Sequence, residues 1–276
     1  MWGLVAIGEA LIIMTGNFDI SIGAMVALDC TFFAVAATTW HIPLVIAILL
    51  TILLSVVFSA ISGLVVVKLK INSFLTTIAM LFICRGLART MTYSRPVPIA
   101  PAQGSALFLH FGQAEPLKMS WNFFLFIALI IIFQIILKKT AYGRKIYATG
   151  DNANVARLSG INTDSIKISM FIISGVMVGL ASVFLTAKEA MGNPVWGMGW
   201  ELQAIAAVAI GGISLIGGAG SMIGLLIGII MMQVIGNILI LLQINLNMQS
   251  VVLGVIMIMA TILDLRRRNK VLGKVD

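Results

Sequence analysis

The sequence predicts an all-α, polytopic transmembrane helical bundle, and three observations carry that prediction. Hydrophobic residues form 60% of the chain and charged residues 10%, against about 25% charged residues in a soluble domain. Mean hydropathy is +1.10. The apolar runs approach the roughly 20 residues that a helix needs to cross the hydrocarbon core. They do not alternate as barrel strands do, so helices, which satisfy their own backbone groups, are the spanning elements.

Nine spans follow in order: residues 3–14, 20–37, 43–67, 74–91, 120–137, 167–187, 202–216, 222–241 and 247–265. The first is short for a crossing and has neither the basic start nor the small-residue cleavage site of a signal peptide. The seventh is short and rich in Gly and Ala, with Gly211 and Gly212 near its end. That pattern predicts a broken or re-entrant helix packed within protein. Placing Arg266-Arg267-Arg268-Asn269-Lys270 in the cytoplasm and alternating backwards puts Lys68, Lys70 and residues 138–167 on the same side. Together with Lys274 of the C-terminal tail these hold thirteen of the eighteen Lys and Arg residues, as cytoplasmic loops do. All five tryptophans (Trp2, Trp40, Trp121, Trp196 and Trp200) then fall near outer ends, as an interfacial belt. Nine spans leave the first residue outside, so one further span is expected upstream.

Small residues recur at four-residue spacing as Ser55/Ser59/Gly63, Gly175/Gly179 and Gly220/Gly224/Gly228. Such rows let helix backbones approach closely, and internal packing is the expected use. Polar groups within or between spans are few. Asp19 ends the break Thr15–Asp19, with Ser21 just beyond it; Asp29 lies mid-span, and Arg85 and Arg89 stand one turn apart. A charge in hydrocarbon is costly, so each should face a cavity, a partner or an interface. Glu9 and Asp29 are the candidate partners of Arg85, and Asp19 with Ser21 also fits a simple helix cap.

Enzyme chemistry finds no support. His41 and His110 lie in separate loops without metal-ligand spacing, and Cys30 and Cys84 sit inside apolar runs, where small buried side chains are expected. No G-x-x-x-x-G-K-[ST] phosphate loop occurs, so the chain should not hydrolyse ATP itself. No cofactor or metal is expected. The net charge of +8 points to loops lying against anionic lipid, with no nucleic-acid partner.

The basic island 138–167 holds six Lys and Arg residues against Asp151 and Asp164. Thr140–Gly143 is expected to break the preceding helix, and Gly150 to allow a tight turn. Asp151 or Asn152 would cap a helix of about two turns over 152–158, stopped by Gly160.

The segment Gly143–Asn152, continuing through Ala156-Arg157-Leu158-Ser159-Gly160-Ile161, resembles the cytoplasmic coupling loop of ribose/simple-sugar permeases, the membrane subunits of ATP-binding-cassette (ABC) importers. Phe18-Asp19-Ile20-Ser21-Ile22-Gly23 is similar to a second element of that family. Glu201-Leu202, Ala204–Val208 and Gly211–Leu215 followed by Gly217-Gly218 resemble a third. The likeness runs from about residue 5 to 265 in the family's order. Asn17 and Asp151 depart from it, standing where glycine is common.

The resemblance implies one permease domain over 1–276 that lacks an ATPase site and belongs to a ten-span subunit of a bacterial inner membrane. It implies a coupling helix that docks on a separate ATPase, with Arg144, Gly150, Asp151, Asn152, Ala156, Arg157 and Gly160 as the coupling residues. It further implies a second permease subunit, like or unlike, and an extracytoplasmic sugar-binding protein received by the outer loops 92–118 and 187–201. The translocation pathway or its helix breaks would include Asp19, Ser21, Asp29, Gly211 and Gly212, with Trp196 and Trp200 as possible stacking residues. An ion-gradient-driven transporter or channel using Glu9, Asp19 and Asp29 is the alternative.

Overall fold

A helix apolar on every side but for Glu9 needs a buried environment all round, and helix α1 (Trp2–Met14) has one. Residues Leu4 to Met14 are all buried, nearly all at 0% exposure. The computed structural model describes residues 1–99, 106–114, 120–245 and scattered positions between 248 and 262. Two further short apolar helices are α2 (Ile22–Thr38) and α10 (Trp200–Ile210), and α10 packs on α1. Five helices are long and apolar enough to cross a membrane: α3 (Leu44–Lys68), α4 (Ser73–Thr92), α6 (Trp121–Lys139), α9 (Thr163–Glu189) and α11 (Met222–Leu241). Between them lie α5 (Ala106–Gln113), α7 (Ala141–Asp151), α8 (Ala153–Leu158) and a two-stranded antiparallel pair, β1 (Val97–Pro98) with β2 (Met191–Gly192).

The fold is the predicted helical bundle with a layered interior. Eight of the nine predicted spans correspond to helices, five of them long and three short. The ninth, 247–265, and the basic tail fall mostly outside the described residues. The small-residue rows pack within the chain. A side chain at Gly175 would stand 2.9 Å from the Ser55 carbonyl oxygen and the Ser59 Cβ, so α3 and α9 touch along their backbones. Ser59 Oγ donates to the Phe171 carbonyl at 2.7 Å across this seam. Gly224 and Gly228 face the carbonyls of Gly211 and Ala207 in the same way, joining α11 to α10. Close backbone approach is what holds helices together where lipid supplies no hydrophobic drive.

The predicted break after α6 is narrower than expected, and the chain beyond it is helical. Only Thr140 leaves helical geometry. Its Oγ1 donates to the Ile136 carbonyl at 2.6 Å and accepts the Gly143 N–H at 3.1 Å, so it closes α6 and caps α7. Gly143 read as a breaker, yet it is a packing glycine: an added Cβ would reach the Leu137 backbone. Gly150 is likewise inside α7 and makes no turn; it abuts the Met14 carbonyl and lies 2.5 Å, by an added Cβ, from the Gly218 nitrogen.

Candidate functional site

Two places gather the polar residues of the chain. The first is deep in the bundle, where α1, α2, α4 and α10 meet. After α1 the chain turns at Gly16 (φ +78) and runs back inward as a non-helical segment to Ser21. Its backbone N–H groups would be stranded without donated acceptors. Side chains supply them: Phe18 N–H donates to Ser73 Oγ at 3.2 Å, Asp19 N–H to Glu9 Oε1 at 3.2 Å and Ile20 N–H to Thr77 Oγ1 at 3.1 Å. Asp19 Oδ1 accepts both the Ser21 N–H, at 2.9 Å, and the Ser21 hydroxyl. Asp19, with 0% exposure, thus closes a turn onto Ser21, while Ser21, the N-cap residue of α2, makes no side-chain capping bond to the helix.

A second non-helical segment enters from the opposite end of the bundle. Residues 193–199 follow β2 and descend along α2, with Gly192 against Cys30 and Ala34 and Gly197 (φ +70) against Gly23. Arg85 Nη1 donates to the carbonyls of Pro194 at 3.1 Å and Trp196 at 2.7 Å. This answers the question of its partner: Arg85 takes backbone carbonyls, and neither Glu9 nor Asp29 bonds to it. Glu201, in the first turn of α10, accepts the Gly199 N–H at 3.3 Å and points its second oxygen at Gly23. Glu9 Oε2, Asp19 Oδ2 and Glu201 Oε2 are buried without a hydrogen-bond partner. The segment 187–201 is therefore no simple outer loop. Trp196 and Trp200 pack partly buried against the core. Trp40 and Trp121, 50% and 42% exposed, suit an interfacial belt.

Asp29 stands apart from this cluster. It is buried on α2, and Ser182 Oγ donates to its Oδ2 at 3.4 Å. Gly211 caps the C-terminus of α10, and Gly212 (φ +74) turns the chain away, so the predicted seventh span is the half-length α10 and its break. Among the described residues no group of three His, Cys, Asp or Glu could hold a metal ion.

The second place is the basic end. Asn152 is the cap of α8: its Oδ1 accepts the Asn154 N–H at 3.0 Å and the Val155 N–H at 3.1 Å. Asp151 instead closes α7. Gly160 (φ +81) ends the helix as predicted. Arg157 pairs with Asp164 at 3.0 Å on the surface and also reaches Thr163. Arg144 is exposed, whereas Ala156 is 3% exposed and faces inward. Sequence reasoning missed two residues here. Val155 and Leu158 are 56% and 89% exposed, an apolar pair beside Arg157 on α8; three-residue spacing on a short capped helix was the available signal.

α7 ties this end to the deep cluster. Met14 O, the last residue of α1, accepts the Gly218 N–H at 3.0 Å beneath Gly150. A side chain at Gly217 would stand 2.8 Å from the Gly16 nitrogen and 3.0 Å from the Gly150 carbonyl oxygen. Tyr147 donates to the Gly220 carbonyl at 2.8 Å, and burial pushes its phenol pKa up. The C-terminus of α1 and the loop 213–220 that follows α10 thus meet α7, while Glu9 on α1 and Glu201 on α10 reach the deep cluster.

Comparisons with known proteins cover the whole of this arrangement. The family model described as "Branched-chain amino acid transport system / permease component" matches residues 1–261. The ribose import permease protein RbsC of Escherichia coli (strain K12) is 33% identical over 267 residues, 96% of this chain and 82% of its own length. The autoinducer 2 import system permease protein LsrC of Photorhabdus luminescens is 34% identical over 270 residues, 96% of this chain and 78% of its own. The L-arabinose ABC transporter permease protein AraH of Azospirillum brasilense is 29% identical, covering 97% and 78%. No solved structure matches the chain.

Proposed function

The chain belongs to the branched-chain amino acid transport system / permease component family, and from that premise we propose that it is the membrane subunit of a bacterial inner-membrane ABC importer for a small, ribose-like sugar. It is a transport subunit and not an enzyme, since the family supplies the permease component. The observation that carries the sugar reading is the likeness, over nearly the full chain, to permeases for ribose and L-arabinose. These relatives do not favour the ion-gradient alternative.

In this reading a separate ATPase docks on α8. Val155 and Leu158 supply apolar contact, and Arg144 and Arg157 supply charge. ATP-driven movement of the docked surface displaces α7, with Asp151, Asn152 and Gly160 fixing the elbow between α7 and α9. Gly150 passes that displacement to Met14 and Gly218, and so to α1 and α10. Those two helices carry Glu9 and Glu201 to the deep cluster, where Asp19, Ser21 and the segment 193–199 close the pathway. Gly211 and Gly212 let α10 end within the protein, and Asp29 with Ser182 pins α2 to α9. A sugar-loaded extracytoplasmic binding protein meets the end opposite the basic one, and a second permease subunit, like or unlike, completes the membrane unit.

The test is reconstitution of the permease in proteoliposomes with the ATPase and binding protein encoded beside it. ATP-dependent uptake of labelled ribose or arabinose is expected. Uptake by the permease alone, driven by a proton or sodium gradient, would overturn the reading.

A further inference from the structure

Helix α11 carries polar amides where a lipid-facing helix should not. Gln233 and Asn237, one turn apart, are exposed, and Gly236 between them has open space in front of it. Gln233 lies eleven residues beyond Met222, about 16 Å along the helix at 1.5 Å per residue, well inside a hydrocarbon core about 30 Å thick. Across a groove stands Gln203 of α10, half-buried, with the Trp2 indole of α1 at its edge and Met232 and Leu239 along its wall. Neither glutamine has a hydrogen-bond partner among the described residues, although Gln134 on α6 is engaged by the Met222 N–H at 2.8 Å. An amide facing hydrocarbon forfeits its hydrogen bonds at substantial cost, so these groups face water, a polar solute or a polar group of another helix.

We infer that this groove between α1, α10 and α11 is a sugar-binding subsite on the translocation pathway, with Gln203 and Gln233 bonding sugar hydroxyls and Trp2 offering an apolar ring face. The chemistry fits the ligand class. An amide both donates and accepts, as a hydroxyl does, and the apolar ring faces of a sugar lie well against an indole. Gln203 is two residues from Glu201 on α10, so displacement of the half-helix that opens the deep cluster also moves one wall of the groove. The inference rests on the sugar-importer reading above and adds residues to it.

The experiment uses the full complex in proteoliposomes, and two arms separate the inference from its premise. ATP-dependent ribose or arabinose uptake by the wild type tests the premise. Given that uptake, Gln203→Leu and Gln233→Leu are each expected to raise the uptake KM about 2- to 10-fold, the range of one lost hydrogen bond, with complex assembly unchanged. In the second arm the Gln233→Cys thiol is expected to react with a membrane-impermeant maleimide, more slowly when sugar-loaded binding protein is present. Cys30 and Cys84 are buried, so background labelling is low. Wild-type KM in both leucine variants overturns the subsite. So does a Gln233→Cys thiol that no aqueous reagent reaches, which would mean lipid or another helix covers the face. Loss of permease pairing in the leucine variants also overturns it, because the amides would then be inter-subunit contacts.

Discussion

Gly150→Val places a side chain where three backbone segments meet. An added Cβ falls on the Met14 carbonyl and 2.5 Å from the Gly218 nitrogen, two groups that bond each other at 3.0 Å. Both neighbours are backbone, so no side chain can swing aside. Overpacking of this kind costs about 1–3 kcal/mol, and separating Met14 from Gly218 forfeits a buried hydrogen bond of about 1 kcal/mol. The expected penalty is about 2–4 kcal/mol, relieved by moving α7 away from α1 and α10. If α7 transmits ATPase movement, the relieved state hydrolyses ATP without carrying substrate. The assay is substrate-stimulated ATP hydrolysis beside uptake in the purified, reconstituted complex. Gly86→Ala is the control, because Gly86 lies on an exposed face of α4 and an added Cβ there meets nothing within 4 Å. It should change stability by about 1 kcal/mol or less and leave coupling intact. Wild-type stimulation and uptake in Gly150→Val would refute the junction.

Other outcomes follow from neighbouring contacts. Arg157→Glu should change folding stability by less than about 1 kcal/mol, since its partner Asp164 is solvent-exposed, yet weaken assembly with the ATPase in pull-down experiments. Leu158→Asp should do so too, with membrane yield unaltered. Asn152→Ala removes both capping bonds of α8 and should cost about 1 kcal/mol, seen as faster amide exchange over 153–158. Arg85→Met strands the Pro194 and Trp196 carbonyls, a loss of about 2–4 kcal/mol, read as a lowered unfolding temperature in detergent; an unshifted transition would remove Arg85 as the anchor of this segment.

Composition made the helical bundle legible, and local chemistry made the ends of α8 legible, because Asn152 and Gly160 act within their own turn. The glycines of α7 misled for the complementary reason. Gly143 and Gly150 carry the signature of a breaker, and what they accommodate is backbone at Leu137, Met14 and Gly218, contacts that no local window contains. The partner of Arg85 was hidden differently. A search for opposite charge looks to Glu9 and Asp29, whereas the guanidinium bonds carbonyls, which every residue possesses. Glu201 joined Glu9 and Asp19 in the site only once the topology laid α1 and α10 side by side.

The length of α10 bears on how the protein is made. Eleven residues give a helix of about 16 Å, short of a hydrocarbon core about 30 Å thick. It cannot partition into a bilayer by itself as a stable crossing. α11 follows it in the chain, and the two can enter as a hairpin joined through Gly211, Gly224 and Gly228. Substitutions that force this pair apart, Gly228→Val among them, should therefore surface first as degradation of the nascent subunit.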